Sequence, residues 1–360
     1  MTKILTIVGA RPQFIKAAAV SRAIQERSGL QEVLVHTGQH FDAGMSRVFF
    51  EQMQIPGPKY QLNIHSLPHG AMTGRMLEAL EEVLQAEQPD WVMVYGDTNS
   101  TLAGALAASK MHIPVAHVEA GLRSFNMQMP EEVNRIMTDR LSRLLFCPTE
   151  KAISNLEAEG FRNFHCRIVR TGDVMYDAAL FFRNRAIKPD YENIPDHFVL
   201  LTIHREENTR DPRLFADMIR AINLLAEKTD VLFPMHPRTR KLVKDAHLPA
   251  FSQKVHVIDP VSYLEMLWLL ERTDVVITDS GGMQKEACFF EKPCITLRGE
   301  TEWVELVDAG YNRLCGRDST CLLEAYDHFT NNPPNFTGGL YGKGNASAII
   351  AEALSEDIRK

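Results

Sequence analysis

The sequence predicts an α/β protein built from two doubly wound parallel sheets, and three observations carry that expectation. Short runs rich in Val, Ile and Leu alternate with helical stretches along the chain. The runs are nearly uninterrupted by polar residues, as in strands covered on both faces. They fall into two sets, parted by a polar stretch with two prolines at 183–197 (RNRAIKPDYENIPDH) that reads as the linker region. A chain of 360 residues also exceeds one comfortable core, so two domains are expected.

The first strand set is placed at 4–8, 33–36, 91–95, 115–118, 144–147 and 167–170, and the second at 198–203, 231–235, 255–258, 275–278 and 293–297. Helical patterns lie between them at 13–27, 73–87, 100–110, 131–142, 211–227 and 262–271, and the tail 345–358 is helical again after a loop rich in Gly and Asn. The expected domains are 1–172, completed by the C-terminal helix 345–360, and 173–344. Ile4–Val8 runs directly into GARPQFIK at 9–16. There Gly9 permits a sharp turn and Pro12 is pre-set for a first helical turn. Free N–H groups at that helix start, with Arg11 and Lys16 beside them, suit a diphosphate. The alternative is two ordinary solvated cations.

Composition narrows the class. A hydrophobic content of 45% and a charged content of 24% are those of a soluble globular protein. No apolar run approaches the ~20 residues that span a bilayer, and no signal peptide is read at the start. A net charge of −7 argues against a nucleic-acid surface. The six cysteines lack CxxC spacing; Cys147, Cys288 and Cys294 read as buried small hydrophobes, which fits a reducing cytoplasm.

Ligands of open parallel sheets bind beyond the C-terminal strand ends, and two such domains facing each other make a cleft. Polar residues stand at those ends. Asp97 follows WVMVY, Glu119 follows VAHV, and Glu131 sits beside Pro130 at the next helix start. Asp97 also suits a helix cap and Glu131 a helix dipole, but Glu119 precedes Gly121 with no helix to cap. Convergent carboxylates suit acid/base chemistry, because neighbouring like charges separate their pKa values. In the second set FVLLTI leads into His204, and VLFPM leads into His236, Pro237 and Arg238. HREEN lacks the second histidine of a zinc-binding HExxH, and Pro68 separates His65 from His69, so no metal is expected. VVIT leads into Asp279, Ser280, Gly281 and Gly282, where backbone N–H groups could approach a phosphate; Glu286 follows within about one helical turn and could hold a ribose.

Taken in order, GARPQFIK, TGQH (37–40), GDTNSTLA (96–103), HVEAGLRS (117–124), PEEVNR (130–135), CPTE (147–150), TIHREEN (202–208) and TDSGGMQKEA (278–287) resemble the non-hydrolysing UDP-N-acetylglucosamine 2-epimerase family. ARPQFIK, LRSFNMQMPEE and TEWVE (301–305) look like its branch acting on a UDP-linked diacetamido uronic acid. The resemblance implies a GT-B architecture, two Rossmann-like domains facing a central cleft. It implies catalytic roles for Asp97, Glu119, Glu131 and His204, and substrate contacts for Arg11, Lys16, His236, Ser280, Gly281, Gly282 and Glu286. DPVSYLEM at 259–266 resembles the stretch framing uracil, with Val261 and Met266 in contact. The implied reaction expels UDP to form a 2-acetamidoglucal and re-adds it after reprotonation, with no cofactor; GxGxxG is absent after the first strand. A UDP-sugar as ligand, a cytoplasmic homodimer and a role in bacterial lipopolysaccharide O-antigen synthesis are also implied, with no nucleic-acid or membrane partner.

Three positions depart from the family pattern. Gln13 replaces an acidic residue, Trp303 stands where an arginine is expected, and Asp42 replaces a glutamine linked to activation by substrate. Gln13, with Arg238 and Arg240, would favour a uronate carboxylate if they faced it. The competing readings are an epimerase acting on neutral UDP-N-acetylglucosamine, a retaining glycosyltransferase, a hydrolysing epimerase and a non-catalytic nucleotide-sugar binder. Fold alone does not separate these classes.

Overall fold

The computed structural model describes residues 1–39, 55–245, 248–337 and 339–356; His40 and Asp42 lie outside them. By contacts the chain divides into one unit of Met1–Ala178 with Gly338–Lys360 and a second of Ala179–Thr337.

The first unit holds a seven-stranded sheet in the order β3-β2-β1-β4-β5-β6-β7. Its strands are β1 (Thr2–Val8), β2 (Leu30–His36), β3 (Tyr60–Gln61), β4 (Trp91–Tyr95), β5 (Val115–Val118), β6 (Leu144–Cys147) and β7 (Arg167–Arg170). Every pairing is parallel, with Ile7 opposite Val35 and Val94. The period-two alternation sends Leu5, Ile7, Val33, Val35, Val92 and Val94 to one core face. There they meet Met72, Met76 and Leu80 of α2 (His69–Glu87) and Ala103 and Ala107 of α3 (Asn99–Lys110). Each large side chain so buried contributes about 1.5–3 kcal/mol. Helix α1 (Arg11–Gln25) follows β1, α4 (Pro130–Leu141) precedes β6, and α5 (Glu150–Ala158) follows it. α6 (Val174–Arg183) carries the chain across the unit boundary.

The second unit repeats the plan with β8 (Phe198–Thr202), β9 (Asp230–Pro234), β10 (Val255–Ile258), β11 (Val275–Thr278), β12 (Cys294–Thr296) and β13 (Asn312–Leu314), in the parallel order β10-β9-β8-β11-β12-β13. Its helices are α7 (Glu206–Thr209), α8 (Pro212–Leu225), α9 (Pro237–Asp245), α10 (Tyr263–Arg272), α11 (Gly281–Phe289), α12 (Val304–Asp308) and α13 (Ser319–Asn331). Val199, Leu201, Phe233 and Ile277 pack against Phe215, Ile219 and Ile222 of α8. Residues 184–197 are irregular and lie on this unit, with Ile187 N–H donating to Leu264 O at 3.2 Å. α14 (Ala346–Ser355) returns to the first unit and packs on α1.

The two-residue strand β3 and the short β13 are additions to the expected strands. The cysteine reading needs correction: Cys315 and Cys321 form a disulfide, and Cys288 is only partly buried. Burial pushes the Cys288 and Cys294 thiols up to about 12, so neither is a ready nucleophile.

Candidate active site

In each sheet the strand order reverses at one place, between β1 and β4 and between β8 and β11. Such switch points open a crevice where the two flanking connections diverge. The connections there are GARPQFIK and GDTNST in the first unit, and HREEN and DSGG in the second.

At the first switch point, the junction is sealed rather than open. Gln13 is buried, and its carbonyl accepts from Gly9 N at 2.7 Å and Ala10 N at 3.0 Å. Its amide donates to Tyr95 O at 2.8 Å, Thr98 Oγ1 at 2.9 Å and Thr101 Oγ1 at 3.0 Å. Two of the backbone donors expected to be free at this turn, Gly9 N and Ala10 N, are thus already taken by a side chain. Gln13 is held by protein groups on every side, so its lack of charge is no argument about a substrate carboxylate. Gly9 serves by space, since a Cβ there would lie 2.1 Å from Thr37 Oγ1 and 2.2 Å from Ser100 Oγ. Arg11 is exposed at the helix start, whereas Lys16 is buried.

Lys16 Nζ forms an ion pair with the Glu119 carboxylate, both side chains about a tenth exposed (10% and 9%). A Cβ on Gly96 would lie 3.3 Å from Glu119 Oε2 and 3.4 Å from Lys16 Nζ, so the glycine leaves room for the pair. Glu119 itself has φ 72°. A left-handed non-glycine residue costs about 1–3 kcal/mol, and such strain tends to mark functional turns. Two bonds hold this one: Glu119 N and Ala120 N both donate to Phe146 O, at 3.1 and 3.0 Å.

Asp97, on the neighbouring strand end, accepts from Arg135 Nη2 at 2.5 Å, while Asn134 Nδ2 donates to its backbone carbonyl at 2.9 Å. Asp97 keeps about a third of its side chain exposed (34%). Arg135 also donates to Glu132, which accepts from Ser124 N and Phe125 N as well. Burial pushes the Glu132 carboxyl up, but those N–H groups and Arg135 outweigh it and hold it below the usual carboxylate range. Of the two glutamates after Pro130, Glu132 is buried and braces the loop; Glu131 is exposed, one turn before Arg135 on α4. The structure therefore gathers Asp97, Glu119 and Lys16 at adjoining strand ends of the first unit, with Glu131 on the helix that anchors Asp97.

At the second switch point, the buried carboxylate of Asp279 accepts from His204 N at 3.2 Å, Arg205 N at 3.0 Å and Asn208 Nδ2 at 3.0 Å. It folds the HREEN turn and leaves the His204 side chain half exposed (50%), with Nδ1 3.3 Å from Asp279 Oδ1. Ser280 N donates to Thr278 Oγ1 at 2.9 Å, and the Ser280 side chain does not cap α11. Space beside Gly282 is open, whereas a Cβ on Gly281 would meet Glu302 Oε1 at 2.2 Å. Glu286 is buried one turn along α11. Val261 and Met266 are half-buried around the start of α10, where Ser262 accepts from Glu265 N. His236 is exposed after β9.

Arg240 pairs with Asp259 at 2.8 Å and donates to Ile258 O, so the positive charge expected beside His236 is partly spent within the protein. Trp303 is buried, with Lys285 Nζ 4.1 Å from its ring centroid, a cation–π contact at the position where an arginine was expected. Among the described residues no His/Cys/Asp/Glu group has the arrangement of a metal site, and no helix is long and apolar enough to cross a membrane.

Residues 22–355 match the family model described as UDP-N-acetylglucosamine 2-epimerase. A Pseudomonas aeruginosa protein named UDP-2,3-diacetamido-2,3-dideoxy-D-glucuronate 2-epimerase is 56% identical over 98% of this chain and 99% of its own length. The solved Methanocaldococcus jannaschii UDP-GlcNAc 2-epimerase, in complex with UDP-GlcNAc and UDP, superposes with a TM-score of 0.88 at 40% identity, covering 98% of this chain and 99% of that one. The Neisseria meningitidis UDP-GlcNAc 2-epimerase bound to UDP-GlcNAc gives 0.88 at 32% identity, with 98% and 99% covered.

Proposed function

The chain belongs to the UDP-N-acetylglucosamine 2-epimerase family, and we propose from that membership that it inverts C2 of UDP-2,3-diacetamido-2,3-dideoxy-D-glucuronate to give the manno epimer. The observation that carries the substrate is the 56% identity, over nearly both whole chains, to the relative bearing that name. The family's neutral substrate, UDP-N-acetylglucosamine, is the second reading, favoured by the solved relatives at 40% and 32% identity.

The C2 hydrogen of a pyranose is not acidic, since no carbonyl adjoins it. A leaving group at C1 solves this: UDP departs, the C2 proton is lost, and the resulting glucal is reprotonated on its opposite face before UDP returns. The carboxylates of Asp97, Glu119 and Glu131 would move the proton and oppose positive charge at C1. Inversion needs proton access to both faces of the sugar, which several carboxylates suit better than one. Arg11, His204, His236 and the start of α11 at Ser280–Gly282 would stabilise the diphosphate, with Glu286 on the ribose and Val261 and Met266 around the uracil. Lys16, tied to Glu119, would fix that carboxylate and reach the departing charge only by breaking the pair. Under this reading residues 1–172 with 345–360 form the domain for proton chemistry and 173–344 the domain for UDP, in a cytoplasmic homodimer serving bacterial lipopolysaccharide O-antigen synthesis; the resemblance alone supports the last three.

Assaying both UDP-sugars side by side, with the product epimer identified by nuclear magnetic resonance, tests the substrate. We expect the diacetamido uronate to be epimerised with the higher kcat/KM. Equal or faster turnover of UDP-N-acetylglucosamine overturns the uronate reading and leaves the epimerase reading intact.

A further inference from the structure

Beneath the two turns that carry Asp97 and Glu119 lies a buried charge network that the proposed chemistry does not use directly. His117, in the middle of β5, is fully buried. Its Nε2 lies 2.7 Å from Gly96 O, and its Nδ1 lies 2.7 Å from Asp139 Oδ1. A backbone carbonyl can only accept. As a carboxylate Asp139 also can only accept, and its other oxygen takes bonds from Gly121 N at 3.1 Å and the Arg123 cation, through Nη1, at 2.7 Å. Each ring nitrogen therefore faces an acceptor, and both must carry hydrogen. Arg123 completes the set with a two-point pair to Glu159, at 2.7 and 2.8 Å. With both ring nitrogens protonated, His117 and Arg123 would balance the two carboxylates Asp139 and Glu159, as burial of charge requires. Cys147 is the further titratable group beside Asp139, and burial keeps its thiol neutral.

The network touches both turns at one remove. Gly96 directly precedes Asp97, and its φ of 62° sets the direction in which that carbonyl and the next side chain leave the strand. Gly121, two residues after Glu119, has φ 81° and is held through its N–H by the same carboxylate. A Cβ there would meet Ala152 O at 2.4 Å, so the close packing of this turn admits only glycine.

We propose that His117 acts as a buried imidazolium, and that with Asp139 it is a positioning residue fixing the Asp97 and Glu119 turns in register with each other. This rests on the epimerase reading for its catalytic consequence, though not for its protonation state. The charge matters because a neutral imidazole would leave either Gly96 O or Asp139 Oδ1 without its histidine donor.

The test has two arms. In protein labelled with nitrogen-15 histidine, with His117→Gln used to assign the signal, both ring nitrogens should show the shift of protonated imidazole at neutral pH. One bare nitrogen overturns the proposal. In kinetics, His117→Ala should lower kcat about 100-fold while KM stays within about threefold. His117→Gln, whose amide can still reach Gly96 O, should recover about tenfold of that loss, the worth of one good hydrogen bond. An unchanged kcat in His117→Ala overturns the positioning role. If His117→Ala fails to fold, the nitrogen signature of the wild type still decides the protonation and His117→Gln the kinetics. Wild-type exchange of C2 hydrogen with solvent is measured in parallel. Its absence would reject the epimerase reading while leaving the nitrogen result to stand or fall alone.

Discussion

The two strand–helix junctions that drew attention in the sequence differ in a way their motifs hide. At β1–α1 the helix start is closed by Gln13, whose carbonyl takes two backbone N–H groups and whose amide ties down the neighbouring β4–α3 junction. At β11–α11 the N-cap side chain makes no capping bond and the space beside Gly282 is open. One junction is a structural knot from which charged side chains project, and the other keeps its helix start available. Under the proposed function, anion binding by backbone dipole would fall to the second unit, and side-chain acid/base chemistry to the first. A glycine and a helix dipole do not make a phosphate site when a side chain has already filled it.

Removing the carboxylate that distinguishes the first region should have the largest effect. Glu119→Gln is expected to lower kcat by about 10²–10⁴-fold, and, because it leaves the buried Lys16 ammonium without its counter-charge, to lower the melting temperature as well. A loss confined to KM would move Glu119 out of the chemistry and toward binding. Gln13→Ala probes the knot itself. Leaving Gly9 N and Ala10 N without partners should cost about 1–3 kcal/mol for each group left unsatisfied, read by denaturant unfolding, while Tyr95 O keeps its bond from Thr101. Full stability in that variant would mean water replaces the amide, and the junction could then open to a ligand.

Gly282→Asp sharpens the other side. The new side chain has room, but its charge sits at the start of α11, and UDP affinity by calorimetry should fall about tenfold. Unchanged affinity would place the diphosphate elsewhere. The smallest effect concerns acid. The carboxyl of Glu132 is depressed in the folded state, so its stabilisation is complete above the ordinary carboxylate range and disappears as pH falls through the depressed value. The drop in melting temperature on acidification should be shallower in Glu132→Gln than in the wild type.

Much of this was legible in the residues. Uninterrupted apolar runs gave parallel strands, and the strand order puts GARPQFIK, GDTNST, HREEN and DSGG at the two switch points. What periodicity cannot show is which polar groups consume one another. Gln13 sits in a helix start that reads as exposed, and only the approach of Tyr95 O, Thr98 and Thr101 reveals it as interior. Glu131 and Glu132 are adjacent and chemically alike; the turn at Ser124–Phe125 decides which of them is buried. The Cys315–Cys321 bridge depends on how β13 meets α13, which spacing alone does not specify. His117 did leave a signal. A histidine inside the apolar strand VAHV needs partners in the interior, and the aspartate of NRIMTD on the next helix supplies one.

Turnover in deuterated water tests the central claim most directly. If acidic side chains of the first unit move the hydrogen at C2 while UDP leaves and returns, the epimer recovered from the diacetamido uronate must carry deuterium at C2. Epimer formed with its original hydrogen retained at that carbon would contradict the account.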